Sequence, residues 1–134
     1  MRKFAFIGTA SALLVAGSGY ALAQSGTLAA LAKIERGEWQ LRASDGSTRS
    51  ICVTDPRVLL QLRERSAGCT NFVVENGPNT GRITFTCPSG KSDTRITVET
   101  PRLIRLETQG IIRGLPFTEE YEGRRTGMCK AAAR

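Results

Sequence analysis

The sequence predicts a mainly β domain: an antiparallel meander curled into a half-barrel, with one or two short helices and disulfide staples. Three observations carry that prediction. From Cys69 onward, apolar and polar residues alternate in short runs. Gly, Pro and Asn cluster between the runs, as turns require. The four cysteines include no close pair of the kind that presents two thiolates to one metal ion, so disulfides are the default in an exported chain.

The first segment reads as an address. Arg2 and Lys3 precede an apolar run from Phe4 to Ala16, which Gly17, Ser18 and Gly19 break. Ala21-Leu22-Ala23 then supplies the small residues that a signal peptidase reads, so residues 1–23 are expected to be a secretory signal peptide cleaved before Gln24. A membrane-spanning helix needs ~20 apolar residues, more than this run offers, and no transmembrane segment is expected after cleavage. Residues 24–134 then form a single domain of about 110 residues with a modest core. Cleavage removes two of the seven net positive charges, those of Arg2 and Lys3.

Residues 27–36 suggest a short helix. Leu28, Leu31 and Ile34 share a face, Ser25 or Thr27 can cap it and Gly37 can end it. Trp39 and Leu41 alternate with Gln40 and Arg42 in a first strand. Ser44-Asp45-Gly46 is a turn, and Thr48 to Val53 is the returning strand. Thr54 can cap a second helix over 55–65, with Pro56 in its first turn, Val58, Leu59 and Leu62 as its buried stripe, and Ser66-Ala67-Gly68 as its stop. Strands follow at 70–75 and 82–87, around Ile96 and Val98, and at 103–108. Residues 110–116 are expected to be an irregular loop. Phe117 to Glu122 forms the last strand.

Four cysteines allow three pairings. The spacing favours Cys52–Cys69, bracketing the second helix, with Cys87–Cys129 tying the C-terminus to the sheet. Cys69–Cys87 with Cys52–Cys129 is the alternative. A strict up-and-down count leaves Cys129 at the opposite end of the sheet from the other three. A bridge to it therefore requires the meander to break, most easily at 110–116.

Four features together resemble a family of small exported bacterial proteins catalogued as domain of unknown function 3617. They are Gly37-Glu38-Trp39, Cys52-Val53-Thr54 before a helix, the Cys69 and Cys87 pair flanking a polar hairpin, and the closing Gly123-Arg124-Arg125-Thr126-Gly127-Met128-Cys129. The resemblance spans residues 37–129. Members often carry a long Met/Pro-rich loop where this chain has only Ser44-Asp45-Gly46. The resemblance implies export to the bacterial periplasm or beyond and a small β-rich domain, and it assigns no activity.

The chemistry is bounded by what the chain lacks. It contains no histidine, so Ser-His-Asp and Cys-His groupings and histidine-ligated metals are excluded. None of Lys33, Lys91 and Lys130 sits in an S-x-x-K pattern. Glu119, Glu120 and Glu122 cluster, but strand alternation puts Glu119 on one face and the other two on the opposite face. No catalytic residue, cofactor or metal is therefore assigned, and a histidine-free hydrolase is the least favoured reading.

The leading expectation is a non-enzymatic binding module holding an apolar ligand inside the curled sheet, in a cavity lined by Trp39, Leu41, Ile83, Phe85, Ile96 and Val98. The alternative is an envelope interaction protein. It would dock on anionic lipid or a protein partner through an arginine face made of Arg57, Arg63 and Arg65, of Arg102, Arg105 and Arg113, and of Arg124 and Arg125, and through Ile111, Ile112, Leu115 and Phe117. Nucleic acid is not expected as a partner, since aromatic residues make up only 6% and stacking platforms are scarce.

Overall fold

A computed structural model describes residues 26–63 and 68–130. The signal-peptide expectation, the Ser25 cap, Arg65 and the Ser66-Ala67 stop lie outside the described residues. Seven strands form one antiparallel sheet: β1 (Gly37–Ala43), β2 (Thr48–Val53), β3 (Thr70–Asn76), β4 (Thr80–Cys87), β5 (Gly90–Thr100), β6 (Leu103–Ile112) and β7 (Leu115–Gly127). Their spatial order is β2-β1-β7-β6-β5-β4-β3, so β2 and β3 are the edges and the sheet is not closed.

The alternation read from sequence sets one buried face. Trp39, Leu41, Ile83, Phe85, Ile96, Val98, Ile104 and Leu106 all point to it. The two expected helices are 3₁₀ turns of five residues each, Ala29–Lys33 and Pro56–Leu60. Leu28, Leu31 and Ile34 from the first, and Leu59 and Leu60 from the second, pack into the same core as the sheet residues. The six residues expected to line a ligand cavity are thus surrounded by the chain's own side chains.

Neither turn is capped as sequence suggests. The first has Leu28 at its N-cap with no side-chain bond, and the Ala29 N–H donates instead to Asn76 Oδ1 at 2.7 Å. The second is capped by Asp55, which accepts from the Arg57 N–H at 3.0 Å. The Arg57 guanidinium, and after it that N–H, hold the Asp55 carboxyl below the usual aspartate range; in the β1–β2 turn the Ser47 hydroxyl and N–H do the same for Asp45.

The break in the meander falls at 54–69 and not at 110–116. Every neighbouring pair in the sheet is antiparallel, so six steps from β2 to β3 leave these two edges running in the same sense. The connection between them must return along the whole buried face. A 3₁₀ turn advances about 2.0 Å per residue against about 1.5 Å for an α-helix, which suits a segment that has to cover distance. Thr94 Oγ1 fastens it from the sheet, donating to the Leu60 carbonyl at 3.0 Å while lying 2.9 Å from Thr108 Oγ1.

This topology overturns the favoured disulfide pairing. Cys52 ends β2 and Cys69 precedes β3, which places them at opposite ends of the sheet. The bridges are Cys52–Cys129 and Cys69–Cys87. Thr70 faces Thr86 across β3 and β4, so Cys69 and Cys87 are the next opposed pair. Cys52 faces Glu38 on β1, and Glu38 faces Gly127 on β7, which brings Cys129 over the end of β1.

Candidate functional site

The segment expected to be an irregular loop is a regular hairpin. β6 continues to Ile112 and β7 starts at Leu115, so only Arg113 and Gly114 turn the chain. Both have positive φ, 51° and 76°, which is the signature of a two-residue type I′ turn. The Arg113 N–H donates to the Ser89 carbonyl at 2.7 Å, so the β4–β5 turn buttresses the tip. The Cys69–Cys87 bridge closes the same end of the sheet.

This end lies past the packed core and its apolar side chains reach the surface. Ile111 is 54% exposed and Leu115 is 71% exposed. Ile112 and Phe117 are half-buried. Register places Ile112, Leu115 and Phe117 on the core face, and Ile111 with its neighbour Pro116 on the outer face. The hairpin is therefore apolar on both sides.

An open groove of about 840 Å³ runs across β4 to β7 at this end. One wall is the row Thr84, Asp93, Gln109 and Thr118, and the other is Thr86, Lys91, Ile111 and Pro116. All eight face away from the core, so the groove lies on the outer face. Its floor is the backbone between the two rows, including Gly110. A Cβ there would sit 2.1 Å from the Lys91 carbonyl oxygen, so only glycine fits the approach of β6 to β5.

On the core face beneath, a polar cluster supports the groove from behind. Arg63 Nη2 pairs with Glu119 Oε1 at 2.7 Å, and its guanidinium lies 5.1 Å from the Phe117 ring centre. Tyr121 donates to Glu119 Oε2 at 3.0 Å, and Arg49 lies 5.7 Å from the Tyr121 ring centre. Burial pushes the Tyr121 hydroxyl pKa up, and the Glu119 carboxylate adds to the rise. Sequence reading did not find this cluster, because Arg63 reaches Glu119 across 56 positions.

The remaining expected residues separate. Trp39 is fully buried, and its Nε1 donates to the Glu35 carbonyl at 2.9 Å. Arg124 is on the surface and paired with Glu122 at 2.9 Å. Arg125 is largely covered, with its Nε donating to the Arg36 carbonyl at 2.8 Å. Arg57, Arg102 and Arg105 are each paired with a carboxylate, so much of the arginine face is locally neutralised. The three glutamates split as alternation requires: Glu120 faces Glu107 on the outer side, beside Glu122, and Glu119 points to the core side. Among the described residues, no group of three or more metal-ligating side chains converges, and no helix is long and apolar enough to cross a membrane. No protein-family model matches the chain, and neither a curated protein nor a solved structure matches it.

Proposed function

We propose that the chain is an exported, non-enzymatic binding module of the bacterial envelope, and that its binding surface is the outer groove at the β6–β7 hairpin end. The observation that carries the reading is the 840 Å³ groove walled by exposed Ile111 on a rigid, buttressed hairpin. Apolar side chains held out of the core by a regular strand mark contact surfaces. The two disulfides suit an oxidising compartment. The resemblance to domain of unknown function 3617 points the same way. The apolar ligand expected inside the sheet is thereby relocated to the opposite face.

The test is titration of the disulfide-intact protein with an environment-sensitive naphthalene-sulfonate dye, alongside Ile111→Asp. Dye binding that falls about tenfold in the variant, with unchanged thermal unfolding, supports the reading. Equal binding by both proteins, or none by either, overturns it.

A second reading rests on the apolar character of both hairpin faces beside Lys91. In it the tip inserts into an anionic lipid surface. Salt-sensitive sedimentation with phosphatidylglycerol vesicles but not with phosphatidylcholine vesicles, lost in Leu115→Asp, would favour it over the groove.

A further inference from the structure

The apolar groove does not end at Thr118. A second depression of about 350 Å³ shares Asp93, Gln109 and Thr118 with it and continues along the outer face to Arg82, Arg95, Glu107 and Glu120. The register gives this charged row an unusual order. Arg82 faces Arg95, Arg95 faces Glu107, and Glu107 faces Glu120. The two arginines have partners, Asp93 for Arg82 at 2.8 Å and Glu75 for Arg95 at 3.6 Å. Glu107 and Glu120 stand directly opposite each other. Arg95, which faces Glu107, turns its guanidinium to Glu75, and among the described residues no cation comes within ion-pair distance of either glutamate. Like charges directly opposed across strands are unfavourable, and strands ordinarily avoid the arrangement.

We infer that the continuous trough is a docking site for an extended segment of a partner protein, one carrying an apolar residue and a lysine or arginine about four positions apart. The inference rests on the groove reading above and names its partner. Charge complementarity sets one end: a cationic side chain between Glu107 and Glu120 relieves their repulsion. Ile111 and Pro116 set the other. At about 3.3 Å per residue, Glu107 and Ile111 are about 13 Å apart along β6, which is the reach of four extended residues.

The middle of the trough decides between a peptide and an alkyl chain. Thr84, Gln109 and Thr118 lie between the two ends. A peptide backbone replaces the water on these groups with its own amide donors and acceptors. A hydrocarbon tail would strip that water and return nothing.

The experiment is fluorescence anisotropy with labelled seven-residue peptides of otherwise Ser/Thr composition, bearing Leu at the second position and Lys at the sixth. The controls carry Glu in place of Lys, or Ser in place of Leu. The Lys peptide should bind about tenfold or more tightly than the Glu peptide at low salt, and Glu107→Gln/Glu120→Gln should erase that difference. The double variant should unfold at the same or a higher temperature, because it loses a repulsion.

Dye binding reports the underlying groove separately. If the dye binds and is lost in Ile111→Asp while Lys and Glu peptides bind equally, the inference fails and the groove reading stands. If neither dye nor peptide binds, both fail. Dodecylammonium binding as tightly as the Lys peptide overturns the peptide as occupant.

Discussion

The Arg125 guanidinium donates to the Arg36 carbonyl at 2.8 Å and lies 3.7 Å from Glu35, with its side chain 19% exposed. It fastens the segment before β1 to the last strand. Arg124, its neighbour, is 65% exposed and pairs with Glu122. Arg125→Ala should therefore cost roughly 1–2 kcal/mol through the lost charged hydrogen bond and packing. Arg124→Ala should stay within about 0.5 kcal/mol. Parallel thermal melts check the contrast, and a similar loss in both variants would sink it.

Tyr121 gives a second test at the same scale. Its folded pKa is raised by burial and by Glu119. The native state therefore holds the phenol proton more tightly than the unfolded state. That contribution is complete below the unfolded pKa of about 10 and is lost as pH rises through the folded value. Denaturant unfolding between pH 8 and 11 should show wild type losing stability relative to Tyr121→Phe above about pH 10. Parallel pH profiles for the two proteins would refute it.

Among the elements, the β6–β7 turn depends most on one residue. Gly114 has φ 76° and open space around its missing side chain, so Gly114→Ala is opposed only by backbone conformation. The cost should be about 1 kcal/mol, and Gly114→Asn should recover most of it, because Asn tolerates the left-handed region. Equal melting temperatures for the Ala and Asn variants would contradict this.

The same turn shows where sequence reading stops. Alternation located all seven strands, because a half-buried strand writes its period directly into the residues. Arg113-Gly114 is not one of the dipeptides that announce a type I′ turn, so the apolar stretch around it read as a loop. The 3₁₀ turns read as helices because Leu28, Leu31 and Ile34 fit either period over so short a span. The groove was half legible. Ile111 stood out as unexplained, but its wall partners come from four strands whose register no local pattern states.

Strand order is likewise not local. The turn at Ser44-Asp45-Gly46 announces that β2 returns beside β1, but nothing local announces that β1 pairs with β7 and so puts β2 at the far edge from β3, and the disulfide pairing follows from that order. Cys52–Cys129 closes 77 positions and Cys69–Cys87 closes 18. Loop-closure entropy makes removal of the longer bridge the costlier, ~4 against ~3 kcal/mol. Chemical denaturation of the Cys52→Ala/Cys129→Ala and Cys69→Ala/Cys87→Ala proteins orders them, and the reverse order would show that native strain dominates.

On the scale of the whole molecule, an open seven-stranded sheet is held curled by two segments that cross its hollow. One precedes β1 and the other joins the two edges. Neither has a regular helix's internal bonding to stand alone, and both are placed by the sheet: Leu28 against Gly81, Leu60 under Thr94, and Glu35 over the Trp39 indole. A Cβ at Gly81 would lie 2.7 Å from Leu28 Cδ1, so even Gly81→Ala should push the first segment and cost ~1–3 kcal/mol. A chain beginning at Gly37 removes the segment entirely. It leaves Trp39, Leu41 and Ile96 facing water on one side, with both disulfides and all seven strands still encoded. We expect that chain to bind hydrophobic dye on its core face even when Ile111→Asp is also present, to shift Trp39 emission to the red and to lose its sharp unfolding transition. Unchanged emission with a sharp transition would mean that the crossover alone fills the hollow. The solid core would then belong to the sheet and the Pro56–Leu60 turn, and the segment before β1 would be only a cover.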